Sequence, residues 1–172
     1  MTIKQRLYIS FSLILFILMF IIGVFFYTLF NLNEVHNSQK HRYDQIRRVE
    51  KLKEYNNSFS WIVLDLITDY EKMNIVKKRL EKTDELFKNL SLQKKDTINS
   101  SESRKEKENL ELIFLEFENI KKLIKEELYE LVIKKEEKNF ELFNKKYEQR
   151  STLIQKLLIE EIAYLQDELN KT

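Results

Sequence analysis

Arg150, Asn56, Asn57 and Thr152 are the residues of this chain whose types best suit recognition of a small polar or anionic ligand. A guanidinium can hold a carboxylate through two parallel N–H bonds, while amides and hydroxyls supply neutral donors and acceptors around it. Ser58, Ser60, Thr83 and Ser151 are their polar neighbours, and Asn56 and Ser151 fall where an apolar seam would otherwise continue. Buried polar groups cost free energy unless they find partners. The same residues therefore also read as a layer that fixes helix register, as a core Asn does in coiled coils. Sequence leaves both readings open.

Other chemistries are excluded more firmly. His36 and His41 are five residues apart, about 140° around a helix, so they do not converge on one metal. Neither belongs to a Glu-x-x-His pair of the di-iron kind. They read as residues of a solvated helix face, with pH sensing as the functional alternative. The only glycine, Gly23, leaves no phosphate-cradling loop or nucleophile elbow, and the absence of cysteine removes thiol chemistry. Carboxylates are interleaved with lysines, so paired acid–base work is not indicated. We expect no enzymatic activity, cofactor or metal. Of 30 basic residues, Lys4 and Arg6 precede a long apolar run, which leaves 28 against 28 acids. That balance argues against a nucleic-acid partner.

The elements that would position these residues are all helical. Sheets need turns rich in Gly, Asn-Gly or Pro, and this chain has no proline. Apolar residues instead recur every three or four positions, at Leu110, Ile113, Phe117, Ile120, Ile124, Leu128 and Leu131. A second series runs Phe140, Phe143, Tyr147, Ser151, Ile154, Leu158, Ile162, Leu165 and Leu169. Earlier come Tyr43, Ile46 and Val49, then Phe59, Val63, Leu66, Tyr70 and Met73, then Val76, Leu80, Phe87 and Leu90. Trp61 reads as a core or subunit-interface anchor, with ligand stacking as the alternative. Breaks are expected at Lys95–Ser103 and at Lys134–Asn139. Capping boxes are offered by Ser103 with Glu106 and by Thr68 with Glu71. Four helices result, at about 33–68, 70–96, 103–136 and 138–172, and short loops predict an antiparallel up-down-up-down four-helix bundle. Twelve residues from each expected helix top lie Asn57, Lys82, Ile124 and Arg150. This level is about 18 Å from the tip.

Ahead of the bundle stands an unbroken run of 24 uncharged residues, 7–30, of which 17 are Leu, Ile, Phe or Val. As a helix it is roughly 36 Å long, enough to cross a bilayer. It is too long for a signal peptide's apolar region and closes on bulky Phe25, Phe26 and Phe30. We therefore expect an uncleaved anchor. The expected order is a cytoplasmic stub 1–6, a transmembrane helix 7–31 and a periplasmic or extracellular domain 32–172, placed by the positive-inside tendency.

A charged stub, one anchor and about 140 residues of glycine-free amphipathic helix resemble the sensory part of bacterial methyl-accepting chemotaxis proteins. The resemblance spans the chain. It rests on 1–30, on the 65–90 passage (DLITDYEKMNIVKKRLEKTDELFKNL) and on the 134–156 passage (KKEEKNFELFNKKYEQRSTLIQK). It implies a homodimeric ligand-binding bundle in the bacterial inner membrane. A fourth helix would run into a second membrane helix and carry the signal to a cytoplasmic module. It also implies arginines of helix 1 at the ligand, but Arg47 and Arg48 lie about three turns too low to meet Arg150 and Thr152. Because the chain stops at Thr172, a receptor's N-terminal portion is expected. Two alternatives remain. One is the sensor of a histidine kinase or cyclic-dinucleotide enzyme; the other is a membrane-anchored coiled-coil scaffold of the envelope.

Overall fold

The computed structural model describes residues 3–171, so Met1 and Thr2 of the expected stub and Thr172 of the last helix lie outside the described residues. All of the regular structure is helical, and among the described residues there is no strand. The order is α1 (Ile3–Thr68), α2 (Met73–Asn99), α3 (Arg104–Lys122), a π-helical segment (Leu123–Leu128), α4 (Tyr129–Lys134), a 3-10 turn (Glu137–Asn139) and α5 (Phe140–Lys171). Since α3, the π segment and α4 follow one another without a gap, the chain forms four helical rods.

Two compact units divide at His41 and Arg42. The N-terminal unit is helical throughout its described length. Large apolar side chains such as Phe16, Phe20 and Phe30 are exposed in it. This is the one helical stretch long and apolar enough to cross a membrane among the described residues. α1 runs without interruption from Ile3 to Thr68, and no proline or glycine follows Gly23 within it.

The second unit, Arg42–Lys171, holds one apolar core to which every rod contributes. Phe59 of α1 stacks on Phe87 of α2 at 4.3 Å and meets Phe117 of α3 at 6.2 Å. Leu158 and Ile154 of α5 are fully buried in the same cluster. Each such side chain contributes about 1.5–3 kcal/mol over an exposed one. One line of buried positions on α1 steps regularly, Arg42, Gln45, Val49, Leu52, Asn56, Phe59, Val63 and Leu66, at alternating intervals of three and four, with Ile46, Tyr55 and Ile62 buried beside it. On that register Tyr43 sits about 100° off the buried line and is 60% exposed, against expectation. Trp61 is 68% exposed, so it is not a core residue of this unit, and Met73 is also exposed.

The ends have local causes. Thr68 turns its hydroxyl onto the Leu64 carbonyl at 2.8 Å instead of capping α2, so the Thr68–Glu71 box does not form. At α3 the Ser103 hydroxyl accepts the Glu106 N–H at 3.1 Å, as the capping box requires. The Glu106 carboxylate reaches back to the N–H of Glu102 rather than Ser103, at 2.9 Å. Ile120, Ile124, Leu128 and Val132 are buried at steps of four. In an ordinary α-helix each such step overshoots one turn by about 40°, and the wider π turn keeps these residues on one face. Lys135 ends the rod at φ 55°. The bonds Glu136 N–H to Leu131 and Lys135 N–H to Val132 make a Schellman closure. A lysine takes the place where glycine is usual. The Tyr70 hydroxyl donates to Glu137, and the Tyr70 ring packs on Phe140 at 5.3 Å, so the first and third turns meet.

Candidate functional site

Two polar clusters interrupt the core of the second unit. The first joins α1 to α5. Asn56, buried on the α1 seam, donates its Nδ2 to the Ser151 carbonyl at 3.1 Å. It accepts the Ser151 hydroxyl on Oδ1 at 3.2 Å. The Ser60 hydroxyl bonds the Asn56 carbonyl at 3.1 Å and lies 3.1 Å from the Tyr147 hydroxyl. Every side chain in the cluster is neutral. Burial pushes the Tyr147 phenol up to about 12, although its bonds to Ser60 and Ser151 pull it down, so it stays protonated. Beside the cluster runs an open groove of about 230 Å³, lined by Ser60, Val63, Leu64, Asn144, Tyr147, Glu148, Ser151 and Thr152.

The sequence-level candidates separate around this groove. Asn56 and Thr152 border one cluster and its groove. Asn57 is exposed on another face of α1. Arg150 turns away from α1 and pairs with Glu116 of α3 at 2.8 Å. There it lines a different open cleft with Lys146, Gln149 and Leu153. Nor does the polar level extend to all rods. Ile124 is buried and apolar, Lys82 is exposed, and the buried Thr83 bonds its own helix at the Arg79 carbonyl, 2.8 Å. Of the family-type candidates, Arg48 donates to the Asp96 carbonyl at 3.0 Å and Arg47 lies on the same open surface with Asp44, Lys51 and Glu54.

The second cluster lies where apolar spacing marks nothing, apart from the Ser103–Glu106 cap. Arg42 pairs with Glu102 at 2.7 Å and with Glu106 at 3.4 Å, and donates to Gln45 Oε1 at 3.0 Å. The Gln45 amide in turn donates to Glu106 at 3.0 Å and to the Ser100 carbonyl. Across from it, Asn109 of α3 donates to Glu161 of α5 at 2.9 Å. The Tyr164 hydroxyl reaches Ser103 at 3.2 Å. Arg42, Gln45, Glu106 and Glu161 are all buried. The signal that could have found them is the seam itself, continued through polar residues. Counting back from Val49 by four and three lands on Gln45 and Arg42, and Glu161 lies midway between Leu158 and Leu165.

One other buried group stands alone. The Tyr129 hydroxyl, just past the π segment, has no hydrogen-bond partner among the described residues, and burial pushes it up to about 12 with Asp84 adding to the effect. His36 and His41 are both exposed. Among the described residues no three His, Asp or Glu side chains gather as metal ligands would. Compared with known proteins, the chain matches no family model, no curated protein and no solved structure.

Proposed function

We propose that the protein is a membrane-anchored sensory domain of the chemotaxis-receptor kind. Its apolar N-terminal helix would be retained in a bacterial inner membrane, with residues 32–172 outside the cytoplasm as an up-down-up-down bundle. The observation that carries this reading is that α1 is one 66-residue helix whose first part is apolar and exposed and whose last part supplies a seam of the folded core. A retained anchor continuous with a sensing helix is what such a device needs. Pairs such as Gln45 with Ser100, Asn56 with Ser151, and Tyr70 with Glu137 favour rods folded back on one another. They count against a single extended scaffold rod. A homodimer is supported by the exposed Trp61 and Leu64, which are three residues apart and so share one face of α1.

The ligand would sit in the groove between α1 and α5. Its lining offers hydroxyls, one amide and the Glu148 carboxylate, without a cation. That suits an uncharged or amine-bearing molecule better than the anionic one that Arg150 alone suggests. The test is a thermal-shift screen of the full chain in detergent micelles against amino acids, amines and organic acids. We expect a stabilising compound whose effect disappears in Thr152→Trp, which fills the groove. A screen without any stabilising compound, or one whose hit ignores Thr152→Trp, removes the ligand site. Because the chain has no cysteine, a single Ser101→Cys can report topology. Labelling by an impermeant maleimide in intact cells is expected, and protection there overturns the orientation.

A further inference from the structure

Glu106 and Glu161 are both buried carboxylates on seam positions of neighbouring helices, yet their surroundings differ. Glu106 receives the Glu102 N–H, the Gln45 amide and the Arg42 guanidinium. Glu161 receives one neutral donor, Asn109 at 2.9 Å on Oε2, and its buried Oε1 has no hydrogen-bond partner among the described residues. The cations nearby are already engaged. Arg42 of α1 is held by Glu102 and Glu106, and the Lys105 ammonium of α3 lies over the Tyr164 ring at 5.3 Å. At the end of α2 the Ser100 carbonyl accepts the Gln45 amide. On α5 itself the neighbouring Tyr164 hydroxyl is neutral and committed to Ser103. An ionised carboxylate in that position is acceptor-only, with most of its acceptor capacity unmet in a low dielectric. A neutral carboxyl costs less there.

We propose that Glu161 is a proton-binding site that couples the packing of α5 against α3 to the acidity of the surrounding solution. Packed, the helix pair keeps the carboxyl neutral; ionisation favours letting the end of α5 loosen so that water can reach Oε1. Burial raises this carboxyl from 4.5 to about 7, opposed by the Asn109 bond, raised further by Glu106 and lowered by Lys105 and Arg42. The sign follows from that elevation. The folded state holds the proton more tightly than the unfolded one, so the stabilisation is complete below about 4.5 and is lost as pH rises through about 7. Nothing in the inference depends on the sensory reading, and an empty ligand screen would leave it intact.

The test is amide hydrogen exchange on the full chain in detergent micelles from pH 5 to 8.5, corrected for intrinsic exchange. Protection across 155–171 is expected to fall about tenfold or more over this range while 143–152 stays level. In Glu161→Gln, whose amide cannot ionise, 155–171 should not respond. In Asn109→Leu, which removes the sole donor to the carboxylate, the midpoint should move upward by about one pH unit. The second variant also decides the matter if the glutamine chain does not fold. A level wild-type profile at 155–171, an equal response at 143–152, an unchanged response in Glu161→Gln or an unmoved midpoint in Asn109→Leu each overturns the proposal.

Discussion

The Asn56 cluster and the Arg42–Glu161 network occupy the same kind of position, polar residues placed on the seams of α1 and α5, and solve the same physical problem differently. Around Asn56 a neutral amide, two hydroxyls and a phenol satisfy one another without charge. Around Arg42 one guanidinium is shared by two carboxylates, and a third, Glu161, is left with a single neutral donor. A closed neutral cluster fixes register and is indifferent to pH. An over-subscribed charged one fixes register too, but stores a dependence on protonation. The difference shows that a polar seam residue alone does not announce a switch; the ratio of donors to acceptors around it does.

The largest effect should come from the charged network. Replacing Arg42 by Met leaves Glu106 buried without its guanidinium, a change of the class that costs about 3–5 kcal/mol. Urea unfolding of the variant at pH 7 should show that loss. A loss below about 1 kcal/mol would mean that the network is solvated and no different in kind from the neutral cluster.

The neutral cluster should respond less. Asn56→Leu strands the polar atoms of Ser151 and is expected to cost about 1–3 kcal/mol. Adding Ser151→Ala should recover part of that cost, because both partners are then gone and little is left unsatisfied. The recovery should be the same at pH 5 and pH 8. Purely additive losses would show that the two side chains do not act as one unit.

Much of the helical core could be read from spacing. Leu110, Ile113, Phe117, Ile120 and Ile124 are all buried on one rod, and Phe140, Phe143, Tyr147, Ile154, Leu158 and Leu165 on another, because three–four periodicity is itself the geometry of a packed helix face. The Ser103 cap was legible for the same reason: its hydroxyl and the Glu106 N–H are joined by local geometry alone. On α1 before Val49, Ile46 is buried as its spacing implies, but Tyr43 is exposed and the buried line runs through Gln45 and Arg42, which an apolar pattern does not mark. The candidate site suffered from a different loss. Arg150 and Thr152 differ by two residues, about 200° on a helix, so they cannot face one ligand, whatever the height at which they sit. A matched height across helices does not give a shared face. The orphaned Oε1 of Glu161 could not be read at all, since it depends on where Arg42 and Lys105 have already been spent.

The smallest effect concerns Arg150, and it tests where the division between the two faces of α5 lies. Its pair with Glu116 is 2.8 Å long, but the arginine side chain is 41% exposed, and ion pairs so placed contribute about 0–1 kcal/mol. Arg150→Ala should therefore change stability by less than about 1 kcal/mol, with the loss shrinking further in high salt. Any compound that stabilises the wild type through the α1/α5 groove should stabilise this variant equally, because the guanidinium lies against α3 and not beside Thr152. If the ligand response instead vanishes with Arg150 and persists in Thr152→Trp, recognition belongs to the α3/α5 cleft. The neutral cluster at Asn56 is then a register device alone.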